Sequence, residues 1–353
     1  MQQSIIRCTD IEKDLAQLLQ TLSYDRLFLL TDNNTQNNCL PLIQSLPEIQ
    51  TAKRISIPAG EENKNIESLS KIWKFLSDNG ATRKSLLLNL GGGMLTDLGG
   101  FAAATFKRGI RFINIPTTLL SVVDAAVGGK TGINFNGLKN EIGAFAPAEA
   151  VLIETAFFKT LDKENFLSGY AEMIKHALLS SEKERQKIMS FDIDNVDYEA
   201  LKDLVVTSVG IKENIVEQDP TEKGIRKALN LGHTIGHAFE SLSYEINHPE
   251  LHGYAIAWGL VCELYLSFKK TGFNQDKLTK TIHFIKENYG IFSFDCQQYD
   301  RLYKLMQHDK KNESADINFT LLSDTGDIKI NQTASKEEIF DALDFYREYF
   351  GLI

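Results

Sequence analysis

Ser85-Leu-Leu-Leu-Asn-Leu90, Gly91-Gly92-Gly93 and Met94-Leu-Thr-Asp97-Leu-Gly-Gly100-Phe-Ala-Ala-Ala104 follow one another without interruption. The first is a short apolar run suited to a buried strand, and it stops at three consecutive glycines. The third is alanine-rich and suited to a helix, so the glycines turn a strand into a helix whose first N–H groups stay open to an anion. Backbone arranged in this way is a phosphate cradle. Gly91 and Gly93 meet two positions of the dinucleotide-binding spacing, whereas Thr96 stands at the third and no acidic residue follows about 20 positions on. A tight strand-to-helix turn without a ligand uses the same glycines, so the stretch sets an α/β fold and leaves the ligand open.

On its N-terminal side the chain alternates between the two kinds of element. Asp10 to Leu22 has a helical apolar pattern, Arg26 to Thr31 reads as a strand ended by Asp32-Asn33-Asn34, and Arg54 to Ile57 reads as another. The segment Pro58-Ala-Gly60-Glu61-Glu-Asn-Lys64 leads into a helix over Ile66 to Asn79, closed by Gly80. Beyond the glycines, Phe112 to Ile115 is a strand broken by Pro116-Thr117-Thr118, and Val151 to Glu154 is the last. Such alternation predicts a parallel sheet. From about Phe157 helical periodicity dominates, with helices expected over Lys163–Leu179, Tyr198–Glu217, Ala228–Leu242, Gly253–Lys270, Gln275–Asn288 and Ser335–Tyr349, and a β-branched run returning only at Asn318 to Leu322. The expected architecture is an α/β, Rossmann-like nucleotide-binding domain over 1–156 followed by an all-α domain over 157–353.

A chain of 353 residues is comfortable for two domains. Its 43% hydrophobic and 24% charged residues are those of an ordinary globular protein. Apolar runs such as Ser85 to Leu90 fall well short of the roughly 18 residues that cross a bilayer, and the start lacks a basic-then-apolar signal pattern, so a cytoplasmic location is expected. Cys8, Cys39, Cys262 and Cys296 form no Cys-x-x-Cys pair and are expected to be free buried thiols. The 47 acidic against 38 basic residues give a net charge of −9, which argues against nucleic acid or an anionic membrane as partner. A small anionic substrate remains compatible, provided lysines and arginines converge locally.

Leu231-Gly-His233-Thr-Ile-Gly-His237 puts two histidines four apart, on one face of a helix and able to grip one divalent ion. Thr234 stands where a zinc peptidase has its glutamate base, which disfavours that class. Glu172, in Tyr170-Ala-Glu172-Met-Ile-Lys175, and His252, in Leu251-His-Gly253, could complete a carboxylate and imidazole set suited to zinc. Solvated helix residues would read the same way singly. In Ser121-Val-Val-Asp124-Ala-Ala-Val-Gly128-Gly129-Lys130-Thr131-Gly132, glycines flank a lysine, and Lys139-Asn140 follows; this brings backbone and ammonium near an anion, or makes a flexible surface loop. Lys212 and Arg226 read, on composition alone, as a solvated face.

Taken jointly, Gly91-Gly-Gly93 with Asp97, Ile115-Pro-Thr-Thr-Leu-Leu120 leading to Asp124 and Gly128-Gly-Lys-Thr-Gly132, Ala171-Glu-Met-Ile-Lys175, and Leu229-Asn-Leu-Gly-His-Thr-Ile-Gly-His237 closely resemble the 3-dehydroquinate synthase family of the shikimate pathway, from about Asp32 to Lys311. The resemblance implies an NAD site at Asp32, Asn34, Glu61, Lys64, Gly92, Gly93, Asp97, Thr117, Thr118, Lys139 and the segment from Phe157 to Thr160. It implies zinc, replaceable by cobalt, on Glu172, His233 and His252. Asp124, Lys130, Asn140, Lys175, Lys212, Arg226, Asn230 and His237 would face the substrate, with Arg108 and Lys310 or Lys311 nearby. Spacing alone does not separate His237 from the ligands. Two departures stand out: Thr96 where the family usually has glycine, and Tyr254 where it usually has glutamate.

The implied reaction converts the sugar phosphate DAHP to 3-dehydroquinate and phosphate by transient oxidation with NAD, phosphate elimination, re-reduction and intramolecular aldol closure. The resemblance also implies a homodimer. Other sugar phosphate cyclases, a metal-dependent polyol dehydrogenase of the glycerol dehydrogenase type, and a pure nucleotide-binding module are the alternatives. The dehydrogenase has no need of a lysine-rich anion site, and the module has none of a metal cluster.

Overall fold

Uninterrupted apolar runs make strands buried on both faces, and the first half of the chain is built on them. A computed structural model describes residues 3–307 and 317–352. In it β1 (Ser4–Arg7), β2 (Leu27–Asp32), β3 (Lys53–Ile57), β4 (Leu86–Gly91) and β5 (Arg111–Pro116) are followed by an antiparallel ribbon of β6 (Lys130–Phe135) and β7 (Leu138–Phe145), and then by β8 (Ala150–Ile153). Six strands form one parallel sheet in the order β1-β8-β5-β4-β2-β3. Every residue of β2, β4 and β8 is buried, as their composition requires.

The connecting helices are α1 (Ile11–Thr21), α2 (Asn33–Asn38), α3 (Pro47–Thr51), α4 (Ile66–Asp78) and α5 (Gly93–Thr105). Asp10 caps α1 by accepting from Lys13 N–H, and Asn65 caps α4 by accepting from Ser68 N–H. Helix α5 lies so close to its neighbours that a Cβ on Gly99 would stand 2.1 Å from Asn89 Oδ1, and one on Gly100 2.6 Å from Thr131 Cγ2. The winding from β2 to β3 heads for one edge, and that from β3 to β4 returns past β2. The direction therefore reverses between β2 and β4, and an open parallel sheet takes its ligand outside the carboxyl ends at such a reversal.

Helices make up most of the rest: α6 (Lys163–Ser180), α7 (Glu182–Met189), α8 (Tyr198–Gln218), α9 (His233–Glu245), α10 (His252–Thr271), α11 (Gln275–Tyr289), α12 (Tyr299–Gln307) and α13 (Lys336–Phe350). The expected all-α character is broken by one antiparallel hairpin, β9 (Asn318–Asp324) with β10 (Asp327–Thr333). Apolar β9 is fixed to α10, where Ser267 Oγ accepts from Leu322 N–H and Thr271 Oγ1 donates to Leu322 O. The helix expected over Ala228–Leu242 instead starts at His233. Residues Ile225–Asn230 form a 3₁₀ helix, and Gly232 at φ +80° breaks the path between them.

The chain divides into two units, Met1–Asp162 with Val196–Val209, and Lys163–Asn195 with Gly210–Ile353. This differs from a single boundary at 156/157 for a local reason. The start of α8 is tied to the first unit: Thr155 Oγ1 donates to Tyr198 O at 3.1 Å, Lys202 Nζ lies 3.7 Å from Glu154, and Arg7 pairs with Asp203 at 2.7 Å. Of the cysteines, Cys8, Cys39 and Cys262 are buried as expected, whereas Cys296 is exposed at a 3₁₀ turn.

In the second unit α9 and α10 meet glycine to glycine, since a Cβ on Gly259 would stand 2.1 Å from Gly232 O and 2.6 Å from Gly236 N. Buried Glu263 of α10 accepts from Gly232 N–H at 2.7 Å and Ile235 N–H at 3.0 Å, capping α9 from the neighbouring helix. Gly259→Ala is expected to force the two helices apart and destabilise the protein by about 1–3 kcal/mol or more, read as a lowered denaturant midpoint. An unchanged midpoint would mean that this contact is not tight.

Candidate functional site

In the first unit the carboxyl ends of the strands carry the polar residues. Asp32 closes β2 and caps α2, accepting from Thr35 N–H at 2.8 Å, and Asn34 is exposed in the first turn of that helix. Gly92 is the N-cap of α5 and makes no side-chain cap; the N–H of Leu95 is taken by Gly92 O at 3.1 Å, and the N–H groups ahead of it, of Gly93 and Met94, stand at the positive end of the helix, where an anion is favoured. Thr118 packs at this turn, where a Cβ on Gly92 would lie 3.2 Å from its Cγ2, and Thr117 donates its N–H to Gly91 O.

One turn into α5, Asp97 meets buried Lys64 at 2.5 Å, and Lys64 Nζ also donates to Asn140 Oδ1. Burial pushes the Asp97 carboxyl up to about 6 against the pull of the Lys64 ammonium. Asn134 ties the group together: its amide donates to Glu61 Oε1 at 2.9 Å, its N–H to Lys64 O at 2.7 Å, and its Oδ1 accepts from Asn140 N–H. Nothing in the sequence singled out Asn134. Asn140 is itself in the left-handed region at φ +52°.

Asp124 sits in a five-residue π-helical turn, Ser121–Ala125, close enough to raise the Asp97 pKa further. Lys130 opens β6 and Lys139 lies on β7, both exposed. The expected loop around Lys130 is thus a strand start. Thr117 and Thr160 hydrogen-bond Cys39, and Phe157 is fully buried in the 3₁₀ helix Thr155–Thr160. Arg108 is apart from these groups. It follows the C-terminus of α5, a helix about 20 Å long, whose N-terminus is the glycine turn. Lys310 and Lys311 lie outside the described residues.

The second unit gathers a denser cluster. Three imidazoles converge: the ring centroids of His233 and His237 are 5.2 Å apart, those of His233 and His252 5.5 Å, and those of His237 and His252 5.7 Å. One ligand nitrogen from each lies within 4.8 Å of the others. Glu172 Oε1, fully buried on α6, is 3.5 Å from His233 Nε2 and 3.6 Å from His252 Nε2. Lys175, one turn on and 1% exposed, is ion-paired with the other oxygen of Glu172. A carboxylate with neutral imidazoles at these spacings fits a divalent ion of the zinc type.

Burial opposes charge on His252, yet hydrogen bonds to Glu172 and Glu240 outweigh it and raise its pKa from 6.5 to about 10. The metal-free ring therefore holds its proton at neutral pH, and an ion must expel it. Metal uptake is expected to release a proton, and apparent affinity to climb with pH by about tenfold per unit through the neutral range. Titration calorimetry in buffers of different ionisation enthalpy reads this directly, and affinity independent of pH would contradict it.

Lys212 and Arg226 are 5% and 3% exposed, which corrects their reading as a solvated face. Arg226 Nη1 donates to Pro220 O at 2.8 Å, and Asp219 accepts the N–H groups of Lys223, Gly224 and Arg226, shaping the turn that carries the guanidinium. Asn230 donates to Glu222 Oε1 at 3.3 Å. Of the two departures, Thr96 is buried and donates to Gly93 O, and Tyr254 packs edge-on against Trp258 and Tyr289.

The fold, a parallel sheet with helices in the first unit and a mainly helical second unit, is that of solved sugar phosphate cyclases and of an iron-containing alcohol dehydrogenase. Among solved structures, a 2-deoxy-scyllo-inosose synthase complexed with carbaglucose-6-phosphate, NAD+ and Co2+ matches 98% of this chain and 96% of its own at TM-score 0.85 and 20% identity. A 2-epi-5-epi-valiolone synthase from Streptomyces hygroscopicus, with NAD+ and Zn2+ bound, matches 99% and 98% at TM-score 0.83 and 22% identity. The 3-dehydroquinate synthase of Parabacteroides distasonis is 58% identical over 351 residues, covering 99% of both chains, and that of Clostridium tetani is 38% identical over 328 residues, covering 91% of this chain and 86% of its own. The family models for the 3-dehydroquinate synthase N-terminal and C-terminal parts match residues 54–168 and 169–312. The chain belongs to the 3-dehydroquinate synthase family.

Proposed function

We infer that the chain converts DAHP to 3-dehydroquinate and phosphate. The observation that carries this reading is the convergence of Glu172, His233 and His252 beside buried Lys175, in a chain 58% identical to the Parabacteroides enzyme. The polyol dehydrogenase alternative is not favoured: the probable glycerol dehydrogenase neighbour is 15% identical at TM-score 0.62, and Lys175, Lys212 and Arg226 are each buried, as cations kept for an anionic substrate would be.

NAD would be held by the first unit, with its pyrophosphate on the Gly92-Gly93 turn and Asp32, Asn34, Glu61, Lys64, Asp97, Thr117, Thr118, Lys139, Phe157 and Thr160 around it. A divalent ion would sit on Glu172, His233 and His252. Bound NAD supplies reversible hydride transfer at a substrate alcohol, and the ion supplies Lewis-acid polarisation of that oxygen. Lys212 and Arg226 bind the substrate's carboxylate and phosphate, the planar guanidinium offering a paired contact. Lys175 balances the Glu172 charge and donates toward the substrate. His237, its ring 5.2 Å from that of His233 and 5.7 Å from that of His252, moves protons in this reading, a role taken from the resemblance. Asp124, Lys130, Asn140 and Asn230 complete the proposed substrate set, and Arg108 and Lys310 enter it by resemblance alone.

No helix among the described residues is long and apolar enough to cross a membrane, and a cytoplasmic location is proposed. So is a homodimer, supported by apolar Phe135, Leu138, Ile142 and Phe145 exposed on the β6/β7 ribbon. The test of function is phosphate release from DAHP set against other sugar phosphates. Turnover of DAHP at least about 100-fold faster, as discrimination by a built anion site allows, supports the reading, and preference for another sugar phosphate overturns it.

A further inference from the structure

The imidazoles of His233 and His252 are held at Nδ1 by different partners. His233 Nδ1 lies 3.1 Å from the backbone oxygen of Leu231, and His252 Nδ1 lies 3.1 Å from Glu240 Oε2. A carbonyl oxygen or a carboxylate only accepts, so Nδ1 of each ring carries a hydrogen whether or not Nε2 is protonated, and Nε2 is the nitrogen turned to Glu172 Oε1 at 3.5 and 3.6 Å. The two rings differ in how firmly packing holds them. The His233 side chain is 10% exposed and starts α9 under the Glu263 cap, whereas that of His252 is 24% exposed at the first position of α10. His252 therefore depends more on its hydrogen-bond partner for its aim.

Glu240 is placed for that task. It stands seven residues after His233 and three after His237 on α9, so one helix face presents all three to His252. Its backbone oxygen accepts from Ser243 Oγ, which accepts in turn from Glu250 N–H, tying this turn of α9 to the loop that delivers His252.

The geometry points to Glu240 as a positioning residue of the metal site, accepting His252 Nδ1–H so that Nε2 is presented to the ion with its donor strength raised. This rests on the metal assignment proposed above. Outer carboxylates of this kind contribute about 10–100-fold to metal affinity.

The test uses the full chain, stripped of metal and titrated with Co2+, reading affinity and the visible ligand-field spectrum for wild type, Glu240→Gln, His252→Ala and the double variant. Glu240→Gln is expected to bind Co2+ about 10–100-fold more weakly with an altered spectrum, while the same change made on His252→Ala has little further effect. Equal losses in both backgrounds would show that Glu240 acts on the fold rather than through His252, and would overturn the inference. Wild-type affinity and spectrum in Glu240→Gln, with His252→Ala impaired, overturns it alone. Unimpaired His252→Ala overturns the metal assignment and the inference with it. Should Glu240→Gln fail to fold, Glu240→Asp, which keeps the charge but withdraws it by one methylene, carries the same test.

Discussion

Alanine at His233 is expected to leave the second unit without its metal, whereas alanine at His237 leaves the metal in place and lowers turnover at least about 100-fold, the low end of what a proton-transfer group contributes. Both residues lie on one face of α9 with ring centroids 5.2 Å apart, so neither spacing nor proximity separates them. Glu172 Oε1 lies 3.5 Å from His233 Nε2 and 3.6 Å from His252 Nε2, and it is the family resemblance that gives the ion to Glu172, His233 and His252 and the proton chemistry to His237. On the proposed assignment, removing His233 takes away one of three ligands, and three is the usual protein complement of a catalytic zinc site. Atomic emission on the two purified variants is decisive. Full zinc in His233→Ala, or none in His237→Ala, would reverse the roles.

Gly92→Val is the second change with a large expected effect. A Cβ at this position would lie 3.2 Å from Thr118 Cγ2, and the two methyls of valine would project over the first N–H groups of α5, where a pyrophosphate is proposed to rest. Gly92 has extended backbone, ψ near 180° and negative φ, so the substitution brings bulk without left-handed strain. NAD affinity is expected to fall by about 100-fold or more, the loss of two hydrogen bonds to a charged group, while the melting temperature stays close to that of wild type. Wild-type NAD affinity by calorimetry would rule the turn out as the cradle.

The central strand-turn-helix was legible because two strong local signals agree there. A six-residue apolar run and an alanine-rich helix leave the three glycines no other role. The β6/β7 ribbon was not legible, since Gly128-Gly-Lys-Thr-Gly132 reads as a turn. Gly132 pairs with Gly143 across the ribbon, and a Cβ on Gly132 would stand 2.7 Å from Ile142 O, so glycine serves a close approach that only pairing reveals. Short β1 owes its strand state to β8 beside it. In the second unit, periodicity located most helices but placed the start of α9 too early, because the break is a backbone event at Gly232 under the carboxylate of Glu263.

Of the candidate site, the types and spacing of Glu172, His233, His237 and His252 were visible as possibilities, and the resemblance supplied their roles. Lys212 and Arg226 look solvated in sequence because burial of a cation depends on neighbours far away in the chain. Asn134 and Glu240 carry no local signal at all. An asparagine in a strand and a glutamate in a helix are common, and only their partners, Glu61 with Lys64 and His252, mark them.

A closed redox cycle on a sugar phosphate leaves a stoichiometric signature. Supplied with DAHP, NAD and zinc, the chain is expected to release one phosphate for each 3-dehydroquinate formed, with NADH no higher at the end than at the start, because the hydride taken in oxidation is returned. NADH accumulating in step with substrate consumed, or substrate consumed without phosphate release, would contradict that account.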